Sequence, residues 1–234
     1  MTSLRLHARP VAPSKRAGGN LMRLARVLGC CMLAWFAALA HGQEAPRARV
    51  NVDYRMIEPQ PVRSGAQIEV IDFFWYGCPH CYNLQPALEE WIQRMPPDVT
   101  LRRIPAILRD SWAPHARIYY TLESLGKLGR LHQEVYHGYH VQELHMSKPA
   151  VMVQWAARHG IDRKSWTDAY NSADVTYKVE RAKAFTSDYN VQGTPSLVVD
   201  GRYLTSPAMA RSEQRMIPIL DDLVRIAREQ RAAR

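Results

Sequence analysis

Residues 73–82 read Phe-Phe-Trp-Tyr-Gly-Cys-Pro-His-Cys-Tyr, and they contain two cysteines, Cys78 and Cys81, with two residues between them. The pair follows a nearly continuous apolar segment, residues 68–75, which predicts a strand buried on both faces. A glycine supplies a turn after this strand, and Pro79 suits the first turn of a helix. A C-x-x-C pair between a strand and a helix is typical of a redox-active dithiol/disulfide site.

Three other uses of this cysteine pair are open from its spacing alone: a structural crosslink, half of a zinc site, or two unrelated thiols. A structural zinc site needs four ligands, and no second C-x-x-C pair follows. A disulfide that closes a two-residue loop removes little entropy from the unfolded chain, so it is a weak crosslink. The amides at a helix N-terminus favour a thiolate at the first cysteine. We therefore predict redox chemistry, with no metal and no cofactor besides the Cys78–Cys81 disulfide itself.

Residues 1–40 have the pattern of a secretory signal. The apolar run at 27–40 follows basic residues and ends in the small-residue sequence Ala-Leu-Ala. This run is too short to span a membrane and remain there. We expect cleavage after about Ala40, and export. Because Met22 would itself be a good start, residues 1–21 are expected to be an over-extended gene reading.

Removal of that signal would leave a mature chain with a single cysteine pair. Cys30 and Cys31 lie within the apolar run. Cys30 loosely resembles the cysteine of a lipoprotein cleavage site, but the apolar core follows it rather than precedes it, which argues against lipidation. An oxidising compartment would permit many disulfides, yet only one adjacent pair is kept. This favours a protein that acts on the disulfides of other chains.

The net charge of the chain excludes few classes of function, and it does not indicate a polyanionic partner. The formal net charge is +9, but the first 40 residues carry six basic and no acidic side chains, so the remainder is close to +3. No basic stripe with interleaved aromatic residues is present, and nucleic-acid binding is not expected. About 190 mature residues suit one domain, or one domain with an insertion.

The hydrophobic pattern predicts two β-rich segments separated by helices. Residues 68–104 read as a strand, a helix and a parallel strand joined by a right-handed crossover. About eighty helical residues follow; Gly138 is expected to end one helix and Ser147 to cap the next. A hairpin with a two-residue turn at Asp200-Gly201 then precedes a last amphipathic helix, residues 216–228 with Pro218 in its first turn.

The segment 73–82 resembles the active site of the DsbA family, thioredoxin-like thiol oxidants of the bacterial periplasm. Residues 191–195, Val-Gln-Gly-Thr-Pro, resemble the cis-proline loop of that family. The similarity extends over the mature chain, because the helical segment falls where the family carries a helical domain. It implies an α/β, thioredoxin-like fold with an inserted all-helical domain. The expected parts are a signal peptide at 1–40, an N-terminal arm at 41–66, a thioredoxin-like domain at 67–106 and 190–234, and the inserted helical domain at 107–189.

The resemblance also implies roles for the residues of the motif. Cys78 is expected to be the attacked sulfur and the thiolate of the reduced form, and Cys81 the buried resolving sulfur. Between them, Pro79 and His80 are the part of the motif most specific to the oxidants, and the imidazole of His80 is expected to stabilise the thiolate. The alternative for His80 is an exposed loop residue without a role.

The cis-proline loop supplies the expected client-binding residues. The resemblance implies that Pro195 is cis and packs against the C-x-x-C pair, and that Thr194 pairs with the client backbone as an added strand. From the residues alone, this segment is only a turn before a strand, and most X-Pro bonds are trans. Thr194 departs from the β-branched apolar residue common at this position, and its hydroxyl could hydrogen-bond the sulfur.

An acid in the middle of the first strand, Asp72, is costly to bury unless it is paired or neutral. The resemblance places a buried acid there and aligns Arg103, on the next strand, as its basic partner. We expect the pair to tune the thiolate or to handle protons; the alternative is an exposed aspartate at a sheet edge. Trp75, Tyr76 and Tyr82 are expected to form an apolar rim for clients, or else ordinary packing.

The spacing of four histidines after the second strand resembles that of metal ligands. They are interpreted as solvated loop residues because Gly138 would break the helix that would orient them. They are His132, His137, His140 and His145.

The resemblance implies a thiol:disulfide oxidoreductase that donates its disulfide to reduced, folding exported proteins through a mixed disulfide on Cys78. Its expected partners are those unfolded clients and a membrane, quinone-linked reoxidant like DsbB, and it is expected to act as a monomer in the periplasm. An isomerase or reductase is the first alternative, although 41–66 is too short for a dimerisation module. A metal carrier using both thiolates is the second, and no third ligand is evident near the motif.

Overall fold

The structure is a computed structural model that describes residues 47–233; the signal-peptide prediction, Cys30 and Cys31 lie outside this range. Its sheet has the order β1-β5-β4-β2-β3, in which β2 and β3 are parallel and the other neighbours antiparallel. The strands are β1 (Arg55–Met56), β2 (Ile68–Phe74), β3 (Val99–Pro105), β4 (Ser196–Val199) and β5 (Tyr203–Thr205).

Eight α-helices lie within the described range, and a short 3₁₀ turn at Asp110–Trp112 precedes the second of them. None of these helices combines the length and the apolar character that a membrane crossing requires. The helices are α1 (Pro79–Gln93), α2 (Ala113–Ser124), α3 (Leu128–His140), α4 (Pro149–Arg158), α5 (Arg163–Tyr170), α6 (Ala173–Asp188), α7 (Pro207–Ala210) and α8 (Glu213–Ala232).

The apolar strand β2 lies between β3 and β4, and all seven of its residues are buried. This confirms the pattern of a strand covered on both faces. On one face, Val70 packs in a cluster with Leu84 and Leu88 of α1 and Leu220 of α8. On the other, Phe73 belongs to a cluster shared with the helices between β3 and β4. Each fully buried side chain of this size contributes roughly 1.5–3 kcal/mol through burial, so β2 fixes the position of the turn that follows it.

The order of elements confirms a thioredoxin-like sheet interrupted by helices, since α2 to α6 all lie between β3 and β4. The expected arm at 41–66 contributes β1, which pairs with β5 through Arg55 opposite Leu204. The limits assigned to the arm and the inserted domain stay predictions.

Gly138 was expected to end a helix, and this prediction is wrong. Helix α3 continues through it to His140. A Cβ atom at this position would lie 3.1 Å from Nε1 of Trp155, which is tighter than ordinary packing. The glycine therefore permits a close approach between α3 and the Trp155 side chain of α4, and this packing outweighs its low helix propensity.

Two further expectations about helix starts are wrong. Ser147 does not cap α4, because the capping position is Lys148 and Pro149 is the first helical residue. Pro218 lies inside α8 rather than in its first turn, since this helix begins at Glu213. Ser212 is the capping residue of α8, and its hydroxyl accepts a hydrogen bond from the Arg215 amide at 3.2 Å.

The predicted hairpin joins β4 to β5, with one more residue in the loop than expected. Val199 pairs with Tyr203, and Asp200 and Gly201 have φ angles of 52° and 63°. At Gly201 a Cβ atom would lie 2.4 Å from the Gln60 carbonyl oxygen, so the position requires glycine.

Candidate active site

Cys78 is the residue that caps the N-terminus of α1, and Cys81 lies one turn further into the helix. Both are thiols in this structure; Cys78 is 7% exposed and Cys81 is fully buried. A Cβ atom at Gly77 would clash with the Trp75 ring, so a larger residue in the turn before Cys78 would require that ring to move. The strand, the turn and the helix therefore hold one sulfur near the surface and keep the other inside.

The environment of Cys78 favours its thiolate. Its pKa is lowered from 9.0 to about 5, first by a hydrogen bond from Cys81, and further by the Thr194 side chain and the amides of Cys81 and His80. Burial raises the pKa of Cys78, but by less than these hydrogen bonds lower it. The two amides are the donors that a helix N-terminus offers to an anion.

The two sulfurs have opposite preferences. Burial, followed by the hydrogen bond and the charge of Cys78, raises the pKa of Cys81 well above its ordinary value. At neutral pH the reduced pair therefore holds one proton, on Cys81, while Cys78 carries the negative charge.

The loop before β4 contacts the Cys78 sulfur. The Thr194-Pro195 peptide bond is cis, as the resemblance implied. The thiol of Cys78 donates to the Thr194 carbonyl oxygen at 3.2 Å. Thr194 thus has two effects: its carbonyl accepts from the protonated sulfur, whereas its side chain favours the thiolate by hydrogen bonding. The structure brings Thr194 to Cys78, with Pro195 as its neighbour in the chain.

His80 is held by a residue that the sequence analysis did not single out. Its Nδ1–H donates to Oε1 of Glu213, the first residue of α8, at 2.5 Å. This hydrogen bond, opposed by partial burial, raises the pKa of His80, and the charges of Glu213 and Cys78 act in the same direction. The Ser212-Glu213 pair is a helix-start signal, and placing the start of α8 there would have revealed Glu213 as a first-turn acid.

Asp72 lies under the active site rather than at an exposed edge. It is fully buried, and neither carboxylate oxygen has a hydrogen-bond partner. Burial raises the pKa of Asp72 to about 6, although the charge of Arg103 opposes this. The expected pairing with Arg103 is loose: its Nε lies 3.9 Å from the Asp72 carboxylate, whereas its Nη2 lies 2.5 Å from Glu89. The charge of Asp72 reaches Cys81, whose pKa it raises.

The histidines of α3 are not solvated loop residues, because α3 continues past Gly138 and holds three of them. His132 is buried, its Nδ1 lies 2.8 Å from the Tyr76 hydroxyl, and burial lowers its pKa to about 3. His140 donates from Nε2 to the Tyr76 carbonyl oxygen at 2.8 Å. Within residues 47–233, no three His, Cys, Asp or Glu side chains are grouped as a metal site would require.

The aromatic residues beside the motif divide between core and surface. Tyr76, expected in an apolar rim, is fully buried and belongs to the core. Trp75 is half-buried and stacks on Trp112 with ring centroids 4.1 Å apart. Tyr82 is also half-buried and stacks on His140 at 5.0 Å. Only two of the three therefore reach the surface.

A surface cavity of about 810 Å³ lies along the cis-proline loop. Its lining includes Thr194 and Pro195 of that loop and the hydrogen-bonded pair His80 and Glu213. Met209 and Pro207 add apolar surface to its lining.

Comparison with known proteins places this arrangement in a family. A family model described as the DSBA-like thioredoxin domain matches residues 98–223. The chain belongs to the DsbA family. The thiol:disulfide interchange protein DsbA of Burkholderia cepacia is 33% identical over 203 residues, which cover 86% of this chain and 96% of that protein.

Further members of the DsbA family show the same relationship. The DsbA of Pseudomonas aeruginosa is 31% identical over 201 residues, covering 86% of this chain and 93% of that protein. A crystal structure of P. aeruginosa DsbA matches with a TM-score of 0.73 and 32% identity, covering 79% of this chain and 95% of the other. The fold prediction from the C-x-x-C segment is thereby confirmed.

Proposed function

We propose that this member of the DsbA family oxidises the dithiols of exported, unfolded proteins by transferring its Cys78–Cys81 disulfide to them. The chain is a thiol:disulfide oxidoreductase, and its homologues bear the name thiol:disulfide interchange protein. The observation that supports the direction of transfer is the asymmetry of the pair: the pKa of Cys78 is lowered to about 5 and that of Cys81 is raised.

The transfer proceeds through two thiol–disulfide exchanges. A client thiolate attacks Sγ of Cys78; the Cys78–Cys81 bond breaks, and its electron pair and one proton go to Cys81. The second client thiolate then attacks the client sulfur of the mixed disulfide and displaces Cys78. The client loses two electrons and two protons, one of which remains on Cys81. Cys78 leaves as a thiolate, so the second proton is released to solvent at neutral pH.

Stabilisation of the Cys78 thiolate makes the disulfide oxidising. A pKa of about 5 lies about two units below pH 7, which corresponds to about 2.7 kcal/mol in favour of the reduced form over a pair with an ordinary thiol. At roughly 30 mV per 1.4 kcal/mol for two electrons, this raises the reduction potential by about 60 mV. In a reductase, by contrast, the reduced form would lack this stabilisation of the thiolate, so the dithiol would give up its electrons more readily.

Thr194 and the adjacent cavity provide the proposed client site. The backbone of Thr194 would pair with an extended client segment, as peptides commonly add to the exposed edge of a strand. The apolar surface of Met209 and Pro207 suits the side chains of an unfolded client. Cys78 is hydrogen-bonded to Thr194, which lines this cavity, so a bound segment would place its cysteine close to the reactive sulfur.

We also propose that Asp72 handles the proton that Cys81 gains and loses. Because the pKa of the buried carboxyl is raised to about 6, a fraction of the molecules carry its proton near neutral pH. The electrostatic coupling between Asp72 and Cys81 supports the assignment. Arg103 would limit the rise in this pKa rather than form a tight pair, since its closest carboxylate is Glu89.

The proposed setting is the periplasm, reached by cleavage of the signal after about Ala40. Family membership and the signal pattern at 1–40 support this location. In the same proposal the protein acts as a monomer, uses no cofactor besides its disulfide, and is reoxidised by a membrane, quinone-linked partner like DsbB. A reoxidant is required because each turnover leaves the pair reduced.

The proposal is tested by mixing the oxidised protein, residues 41–234, with an excess of a reduced, unfolded protein that has two cysteines. Transfer of one disulfide per molecule is expected, and Cys81→Ala should accumulate a mixed disulfide on Cys78. The matched variant Cys78→Ala should do neither. If the client stays reduced while the wild-type disulfide persists, the proposal is wrong.

A further inference from the structure

Glu213 and His80 form a contact between two elements that are far apart in sequence, the N-terminus of α8 and the N-terminus of α1. The His80 side chain is 61% exposed, whereas that of Glu213 is only 17% exposed. Their polar atoms, Nδ1 and Oε1, are within hydrogen-bond distance. An exposed histidine beside the reactive cysteine therefore has its ring fixed by one half-buried carboxylate.

A simpler role for Glu213 would be to stabilise α8, because acids in a first turn favour the helix dipole. The capping function of this helix already belongs to Ser212, which accepts from the Arg215 amide. The Glu213 carboxylate is directed toward the imidazole of another element. The helix role therefore leaves the contact with His80 unexplained.

We propose that Glu213 is a positioning residue: it holds the His80 ring through Nδ1 and so keeps a protonated imidazole near the Cys78 sulfur at a higher pH than an unpartnered histidine would. The inference rests on the proposed function, in which the Cys78 thiolate determines the direction of transfer. It adds that the pH range over which the pair is strongly oxidising is extended upward by a residue outside the C-x-x-C and cis-proline segments.

The charges around His80 support this assignment. Within α1 the relevant group is Cys78, whose negative charge favours the imidazolium. Across the neighbouring cavity, the other charged lining groups are the cations of Arg55 in β1 and of Arg211 before α8. Glu213 is the acidic residue of this lining.

The effect of Glu213 should depend on pH in a way that a purely structural role cannot reproduce. At pH 5.5 an unpartnered histidine is already mostly protonated. Removing the Glu213 carboxylate therefore leaves the His80 imidazolium in place but without the negative charge that neutralises it. At pH 7.5 an unpartnered histidine is mostly neutral, and the thiolate loses its cation. The variant should therefore be weakened as an oxidant at pH 7.5 but not at pH 5.5.

The test compares Glu213→Gln with wild type and with Glu229→Gln, the same change at an exposed ion-paired position of α8. The readout is the equilibrium constant for oxidation of glutathione by the Cys78–Cys81 disulfide. At pH 7.5 this constant should fall by roughly 1.5- to 5-fold in Glu213→Gln, as for loss of one exposed ion pair. At pH 5.5 it should be unchanged or higher. Glu229→Gln should match wild type at both pH values, and Glu213→Asp should recover part of the loss.

A second readout separates this inference from the proposed function. Titration of the ¹⁵N-labelled His80 ring, followed by NMR in the disulfide and dithiol forms, should show a lower pKa in Glu213→Gln than in wild type. This result is independent of whether the protein oxidises or reduces its clients. Equal His80 pKa values in the two proteins, or an equal fall of the equilibrium constant at pH 5.5 and 7.5, would overturn the positioning role.

Discussion

The stabilised thiolate of Cys78 should make the stability of the reduced protein depend on pH, and Cys78→Ser removes that dependence. The folded pKa is about 5 and the ordinary value is 9.0. Because the folded pKa is depressed, the contribution is complete above pH 9 and is lost as the pH falls through 5. Between these values it changes by about 1.4 kcal/mol per pH unit. It should therefore be about 2.7 kcal/mol at pH 7 and close to zero below pH 5.

The assay is urea unfolding of the reduced wild-type and Cys78→Ser proteins at several pH values between 5 and 7.5, with a phosphine reductant present. The same other titrating groups are present in both proteins, so the difference in unfolding free energy reports Cys78 together with the pKa shifts that its charge causes at His80 and Cys81. The contribution of Cys78 itself should grow by about 2.3 kcal/mol between pH 5 and 7. Two stability curves that stay parallel across this range would refute the assignment of a strongly acidic Cys78.

Three further predictions concern residues around the site. Asp72→Asn should stabilise the protein at pH 7 by up to about 3 kcal/mol, because a pKa raised from 3.8 to about 6 opposes folding as the pH rises through that interval. The gain should vanish below pH 4 in urea unfolding, and the Cys81 titration should move down. Thr194→Val should raise the pKa of Cys78, measured by the ultraviolet absorbance of the thiolate. An unchanged pKa would show that the Thr194 hydroxyl does not stabilise the thiolate. Gly138→Ala should lower stability by roughly 1–3 kcal/mol through crowding against Trp155, whereas a higher melting temperature would show that helix propensity prevails.

The local features of the site could be predicted because they are contiguous in sequence. The strand, the glycine turn and the C-x-x-C pair occupy residues 68–81, and each element restricts the next. The burial of Asp72 was expected from the family resemblance, because the apolar residues around it left an exposed position at a sheet edge open. The cis bond at Pro195 came from the family resemblance rather than from any physical signal in the residues.

Contacts across long sequence separations could not be predicted in the same way. Glu213 lies 133 residues from His80, and nothing in the pattern of α8 specifies which side chain its first turn meets. Gly138 was misinterpreted because helix propensity is a weak local signal, while the Trp155 ring that requires a glycine comes from another helix. For Tyr76 the sequence left open an apolar rim or ordinary packing for a similar reason: its burial depends on the helices inserted after β3.

The central claim is that stabilisation of the Cys78 thiolate makes this pair an oxidant. The most direct measurement is the reduction potential of residues 41–234, obtained by equilibration with glutathione mixtures at pH 7. A potential at least about 60 mV above the roughly −270 mV of thioredoxin is expected, in the direction of the roughly −120 mV known for DsbA. A potential near about −270 mV would contradict the account and identify the protein as a reductase.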